Sequence, residues 1–179
     1  MRDAFVKKLN ELAKEDESIY FITADLGFGV FDEFSKNFPN QYLNVGVAEQ
    51  NMTGIATGLA LEGRKVFTYS IANFATLRCL EQIKCGPGLM SLPICIISVG
   101  IGLGYADSGP THYANEDFSC LRSVLGINIY TIADNFTAKT IGKKLASKSE
   151  FSYVRLDRNF SNDLNQNIKQ IKNGFRVFG

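Results

Sequence analysis

Apolar residues recur along this chain in alternating helical and extended periods. Phe5, Leu9, Leu12 and Ala13 fall on one helix face, and residues 19–24 then form a compact apolar run of strand length. Phe31, Phe34 and Phe38 mark a short amphipathic helix that Pro39 stops, and residues 42–47 read as a second extended segment. A helix over 49–62 places Met52, Ile55, Ala56 and Leu59 on one face, spaces Gly54 and Gly58 four apart, and has Gly63 as its stop. The alternation continues with a strand at 65–69, a helix at 77–84 and a strand at 92–99. After a loop over 100–112 come a helix at 118–125, a strand at 128–132, a helix at 137–147 and a strand at 152–156. Nearly continuous apolar strands joined by helix-length crossovers predict an α/β fold: an open, mainly parallel sheet with helices on both faces. Ligands of such sheets bind beyond the carboxyl ends of the strands, where Asp25, Glu49, Tyr69 and the 100–112 loop fall.

Composition adds bounds to this picture. A chain of 179 residues fits one domain with its own core, expected over 1–158, with 159–179 as a polar tail or the start of a linker. Lys and Arg are interspersed with acids at a net charge of +1, so no basic stripe suggests nucleic acid. The first fifteen residues carry charges every few positions and hold no apolar run suited to a signal or an anchor. A cytoplasmic address without membrane attachment is therefore expected. Cys79, Cys85, Cys95 and Cys120 form no C-x-x-C pair and His112 is the one histidine, so neither a metal site nor a disulfide framework is expected.

Glu49 stands between the apolar stretch 45–48 and a helix start, partly desolvated yet near the positive helix end. A carboxylate so placed can hold or share a proton, or it can merely complement the helix dipole. Its surroundings carry more information. Residues 38–51, from Phe38-Pro39 to Ala48-Glu49-Gln50, resemble the F-P-x(n)-A-E-Q/H signature of the transketolase family, which includes the deoxyxylulose-phosphate synthases. Tyr69-Ser70 through Asn73-Phe74 to Arg78, then Glu81-Gln82-Ile83, are similar to the family's aromatic segment before D/E-Q-I. Gly109-Pro110-Thr111-His112, Asp117 and Leu121-Arg122 are similar to its G-P-T-H-x(4)-D-x(3)-L-R stretch. The motifs occur in the family's order and cover roughly residues 19–158.

The resemblance implies thiamine diphosphate as cofactor, bound here by its pyrimidine end, and two-carbon ketol transfer between sugars as the reaction. Glu49 matches the glutamate that contacts ring nitrogen N1′, so that the cofactor's own amino group can act as a base. Phe74 matches the aromatic that stacks on the aminopyrimidine, with Tyr69 and Ile71 as an apolar wall. An ordinary core role for Tyr69 and Ile71 is the competing reading. His112 matches the histidine that faces substrate oxygens and is expected to bind a sugar hydroxyl or relay a proton. Asp107 and Ser108 stand where relatives carry acids that contact substrate hydroxyls, and Ser108 departs from that pattern. Arg158 matches an arginine that helps hold a sugar phosphate. Other cations of that clamp are missing from 27–34 and 99–103.

The family holds the diphosphate through a divalent ion at a G-D-G-x(n)-N motif, and this sequence contains no G-D-G. Mg²⁺ or a similar ion, and the residues that grip the diphosphate, are therefore expected from a partner chain equivalent to a transketolase N-terminal subunit. The family's third domain is also expected elsewhere. Homo-dimeric pairing within a hetero-oligomer is the expected assembly, with Gly54 and Gly58 permitting close helix approach. The run Gly100-x-Gly102-x-Gly104 suggests a dinucleotide site, but its third glycine is misplaced and Pro110 interrupts the helix that pyrophosphate would need. The stronger competing reading is a non-catalytic assembly or regulatory subunit that retains the fold.

Overall fold

The computed structural model describes residues 1–27, 29–148 and 150–158, and the tail or linker expected at 159–179 lies outside them. Six strands form one sheet: β1 (Ile19–Thr23), β2 (Tyr42–Asn44), β3 (Lys65–Ile71), β4 (Ile94–Val99), β5 (Asn128–Thr131) and β6 (Ser152–Leu156). The order is β2-β1-β3-β4-β6-β5 and every pairing is parallel, as the buried apolar strands require. Side chains of successive residues point to opposite faces, which splits the core in two. On one face Phe21, Phe67, Tyr69, Ile97 and Val154 meet α1 (Arg2–Ala13) and, at the far end of the chain, the helix over Asn135–Ser147. On the other face Ile22, Val66, Ile96 and Tyr153 meet Met52, Ala56 and Ala60 of the helix Glu49–Leu61.

The remaining helices are α2 (Asp32–Asn37), α3 (Glu49–Leu61), α4 (Ala72–Ala75), α5 (Leu80–Ile83), α6 (Asp117–Leu121) and α7 (Asn135–Ser147). α3 ends where expected: Gly63 adopts φ +85°, a left-handed conformation open to glycine. Gly54 and Gly58 do not serve packing within the chain, since a Cβ at either would meet nothing within 4 Å. α7 begins earlier than its apolar pattern suggests because Asp134 caps it, accepting a hydrogen bond from the Thr137 amide at 2.8 Å. The continuous helix expected over 77–84 is instead a 3₁₀ turn at Leu77–Cys79, α5 and the start of a π turn at Lys84–Gly88, with the short α4 before it. No helix among the described residues is long and apolar enough to cross a membrane.

β1 is the point where the strand order turns. β2 lies on one side of it and β3 on the other, and in open sheets of this kind ligands bind at such a switch, at the rim beyond the carboxyl ends of the strands. The β2–α3 connection brings Glu49 to that rim, and the end of β3 delivers Phe74.

Candidate active site

Glu49 opens α3, and its side chain is only 3% exposed. Ala48 caps the helix without a side-chain hydrogen bond, so the glutamate's charge near the first turn complements the unpaired amides there. Its Oε2 accepts a hydrogen bond from Arg78 Nη1 at 2.7 Å. Among the described residues, Oε1 has no hydrogen-bond partner. Arg78 sits in the 3₁₀ turn after α4, and its guanidinium carbon lies 4.0 Å from the Phe74 ring centroid. A buried carboxylate and an aromatic face thus touch the same flat cation.

The cluster extends from Phe74. The His112 ring meets it edge-on at 5.0 Å between centroids, and Tyr105 lies 6.2 Å beyond His112. Asn73 Nδ2 donates to the Thr111 carbonyl at 2.6 Å, which ties the start of α4 to the turn Pro110–His112. Thr111 Oγ1 lies 3.0 Å from His112 Nδ1. Arg158 stacks over Tyr105 at 4.6 Å and approaches the exposed Asp107 carboxylate at 3.6 Å. Glu49, Phe74, His112, Arg158 and Asp107 therefore form a continuous rim, bridged by Arg78 and Tyr105. Ser108 follows Asp107 in the turn Ala106–Ser108 and is exposed.

Three other expected site residues are held differently. Tyr69 is 1% exposed and packs edge-on to Phe31 at 4.8 Å in the α1 side of the core. Burial pushes its phenol well up, and the positive charge of Arg2 opposes that shift. Ile71 ends β3 and is buried. Asp25 is exposed with φ +48°, and its amide donates to Asn44 Oδ1 at 3.0 Å, joining the ends of β1 and β2. Cys79, beside Glu49, has its thiol pushed up to about 11 by burial. It stays protonated and inert at neutral pH.

Arg78 and Tyr105 carried no role in the sequence pattern. Arg78 falls inside the aromatic segment, but its pairing with Glu49 spans two crossovers and has no local signature. Arg155, by contrast, is held by a structural partner. It donates to both oxygens of the fully buried Asp117 at 2.8 and 3.0 Å, and Tyr153 adds a third hydrogen bond at 2.7 Å. This network anchors α6 to β6 behind the 100–112 loop. The glycines of that loop lead into short 3₁₀ turns rather than a helix, so no helix start awaits a pyrophosphate. Among the described residues, no three His, Cys, Asp or Glu gather to hold a metal ion.

Comparison with known proteins identifies the family. Residues 1–162 match the family described as "Transketolase, pyrimidine binding domain". The chain is 35% identical over 167 residues to one of the subunits of the apulose-4-phosphate transketolase of Phocaeicola vulgatus, covering 93% of this chain and 54% of that protein. It is 33% identical over 159 residues to a putative transketolase C-terminal section of Methanocaldococcus jannaschii, covering 88% and 50%. Among solved structures it resembles a split-gene transketolase described as an inactive beta4 tetramer, with a TM-score of 0.83, 30% identity and coverage of 96% and 55%. The chain thus spans about half the length of these relatives. With the fold and these matches in agreement, the chain belongs to the transketolase pyrimidine-binding domain family.

Proposed function

We propose that this chain supplies the pyrimidine-binding half of a thiamine-diphosphate-dependent transketolase, which moves a two-carbon ketol unit between sugars together with a diphosphate-binding chain. The observation that carries this reading is that Glu49 and Phe74 both contact the Arg78 guanidinium. An aminopyrimidine needs one flat apolar face and one carboxylate at its ring nitrogen, and these are the two groups that Arg78 touches at once. The residues present therefore fit the ring. When bound, thiamine diphosphate supplies the carbon that carries the two-carbon unit. Glu49 holds a proton at N1′, in a setting dry enough for that proton to be shared rather than lost to solvent. Phe74 orients the ring by stacking. His112, at the exposed edge of the Phe74 ring, hydrogen-bonds substrate oxygens, and Asp107 and Ser108 extend the same wall. Arg158 faces an anionic substrate group, with Asp107 as its counter-ion until that group arrives.

The diphosphate and its Mg²⁺ belong to the partner chain in this reading. Two observations support dependence on a partner: the sequence lacks G-D-G, and the solved relative made of four beta chains is described as inactive. The outward-facing Gly54 and Gly58 leave α3 open to close approach by a second subunit, which supports paired copies within a hetero-oligomer.

Titration calorimetry with thiamine diphosphate and Mg²⁺, run with and without a diphosphate-binding chain, tests the proposal. Binding is expected in the mixture, and ketol transfer is expected to follow it. If the mixture binds cofactor without ketol transfer, the chain is a non-catalytic assembly or regulatory subunit. If no such mixture binds cofactor, the thiamine-diphosphate reading is wrong.

A further inference from the structure

Arg78 already makes both contacts that an aminopyrimidine would make here. Its planar guanidinium lies 4.0 Å from the Phe74 centroid, a ring-on-ring distance, and its Nη1 is 2.7 Å from Glu49 Oε2. The pairing has a physical cause. A carboxylate that is 3% exposed is costly to leave uncompensated, and guanidinium is the side chain that can neutralise a carboxylate while stacking on an aromatic face. We propose that Arg78 is a stand-in for the cofactor's aminopyrimidine, occupying its place between Phe74 and Glu49 and swinging out when the heterocycle enters. This inference rests on the reading of Glu49 and Phe74 as the pyrimidine site.

The local structure permits such a swing. The Arg78 side chain is 41% exposed and projects from a short 3₁₀ turn, so solvent lies beside it. Its backbone stays fixed, because Gln50 Nε2 donates to the Arg78 carbonyl at 3.0 Å and the Cys79 thiol donates to the Phe74 carbonyl at 3.1 Å. Only the side chain has to move. The consequence is selectivity. A ligand that offers a flat ring but no partner for Glu49, or the reverse, replaces only one of the two contacts Arg78 gives up. Apparent affinity is the intrinsic affinity reduced by the fraction of chains with Arg78 out, so removing the stand-in tightens binding.

The probe is 4-amino-5-hydroxymethyl-2-methylpyrimidine, added to the full ¹⁵N-labelled chain. His112 is the sole histidine and sits edge-on to Phe74, so its ring resonances report on whatever occupies that face. Arg78→Ala is expected to bind the probe about tenfold more tightly than the natural chain, with Arg78→Lys in between because it keeps the charge but not the flat face. Equal or weaker binding by Arg78→Ala overturns the stand-in role and leaves the pyrimidine site intact. If saturating probe moves the His112 resonances of neither protein, or if Phe74→Ala binds as well as the natural chain, the pyrimidine reading itself fails and the inference with it.

Discussion

At the scale of single residues, the site is governed by what a buried carboxylate requires. Glu49 has a charged partner on one oxygen and none on the other among the described residues, so it is both neutralised and available. His112 has a different character: it is half-buried at the rim, contacts Phe74 by its edge, and shares an exposed hydrogen bond with Thr111. His112→Asn in the assembled enzyme is therefore expected to leave the melting temperature and cofactor affinity unchanged while lowering kcat/KM for sugar substrates about 10²-fold. Steady-state kinetics alongside thermal melting checks this. An unchanged kcat/KM contradicts the placement of His112 against substrate.

At the scale of elements, the 100–112 loop is held by tight packing. Gly100 has φ +78°, and a Cβ there would lie 2.1 Å from the Tyr105 ring. Tyr105 in turn supports both His112 and Arg158. Gly100→Ala is expected to cost more than about 2 kcal/mol, combining left-handed strain with overpacking, and to shift the His112 resonances as Tyr105 moves. Chemical denaturation and NMR measure the two effects, and a variant with natural stability and unmoved His112 signals contradicts this account of the loop. The same loop shows what the sequence made legible. Strand β4 was readable because burial on both faces leaves a nearly continuous, β-branched apolar run. The break of the 77–84 helix into a 3₁₀ turn, α5 and a π turn was not, because its spacing of apolar residues is that of a continuous helix. Likewise Glu49, Phe74 and His112 stand out through motif order, whereas Arg78 and Tyr105 acquire meaning only when crossovers bring distant segments together.

At the scale of the whole molecule, the strand order places its switch point at β1, and the connections that follow β2 and β3 carry Glu49 and Phe74. Fold class and the direction of the rim were legible from strand and helix alternation. The order β2-β1-β3-β4-β6-β5 was not, since alternation does not say which strands are neighbours. The central claim, that Glu49 acts on the pyrimidine ring of thiamine diphosphate, is tested most directly by deuterium exchange at the cofactor's C2 position. The chain, a diphosphate-binding chain and Mg²⁺ would be mixed with cofactor in D₂O, quenched in acid and read by proton NMR. The natural chain is expected to exchange C2 at least about 10²-fold faster than Glu49→Gln at equal cofactor occupancy. Equal exchange rates for the two proteins would contradict the account.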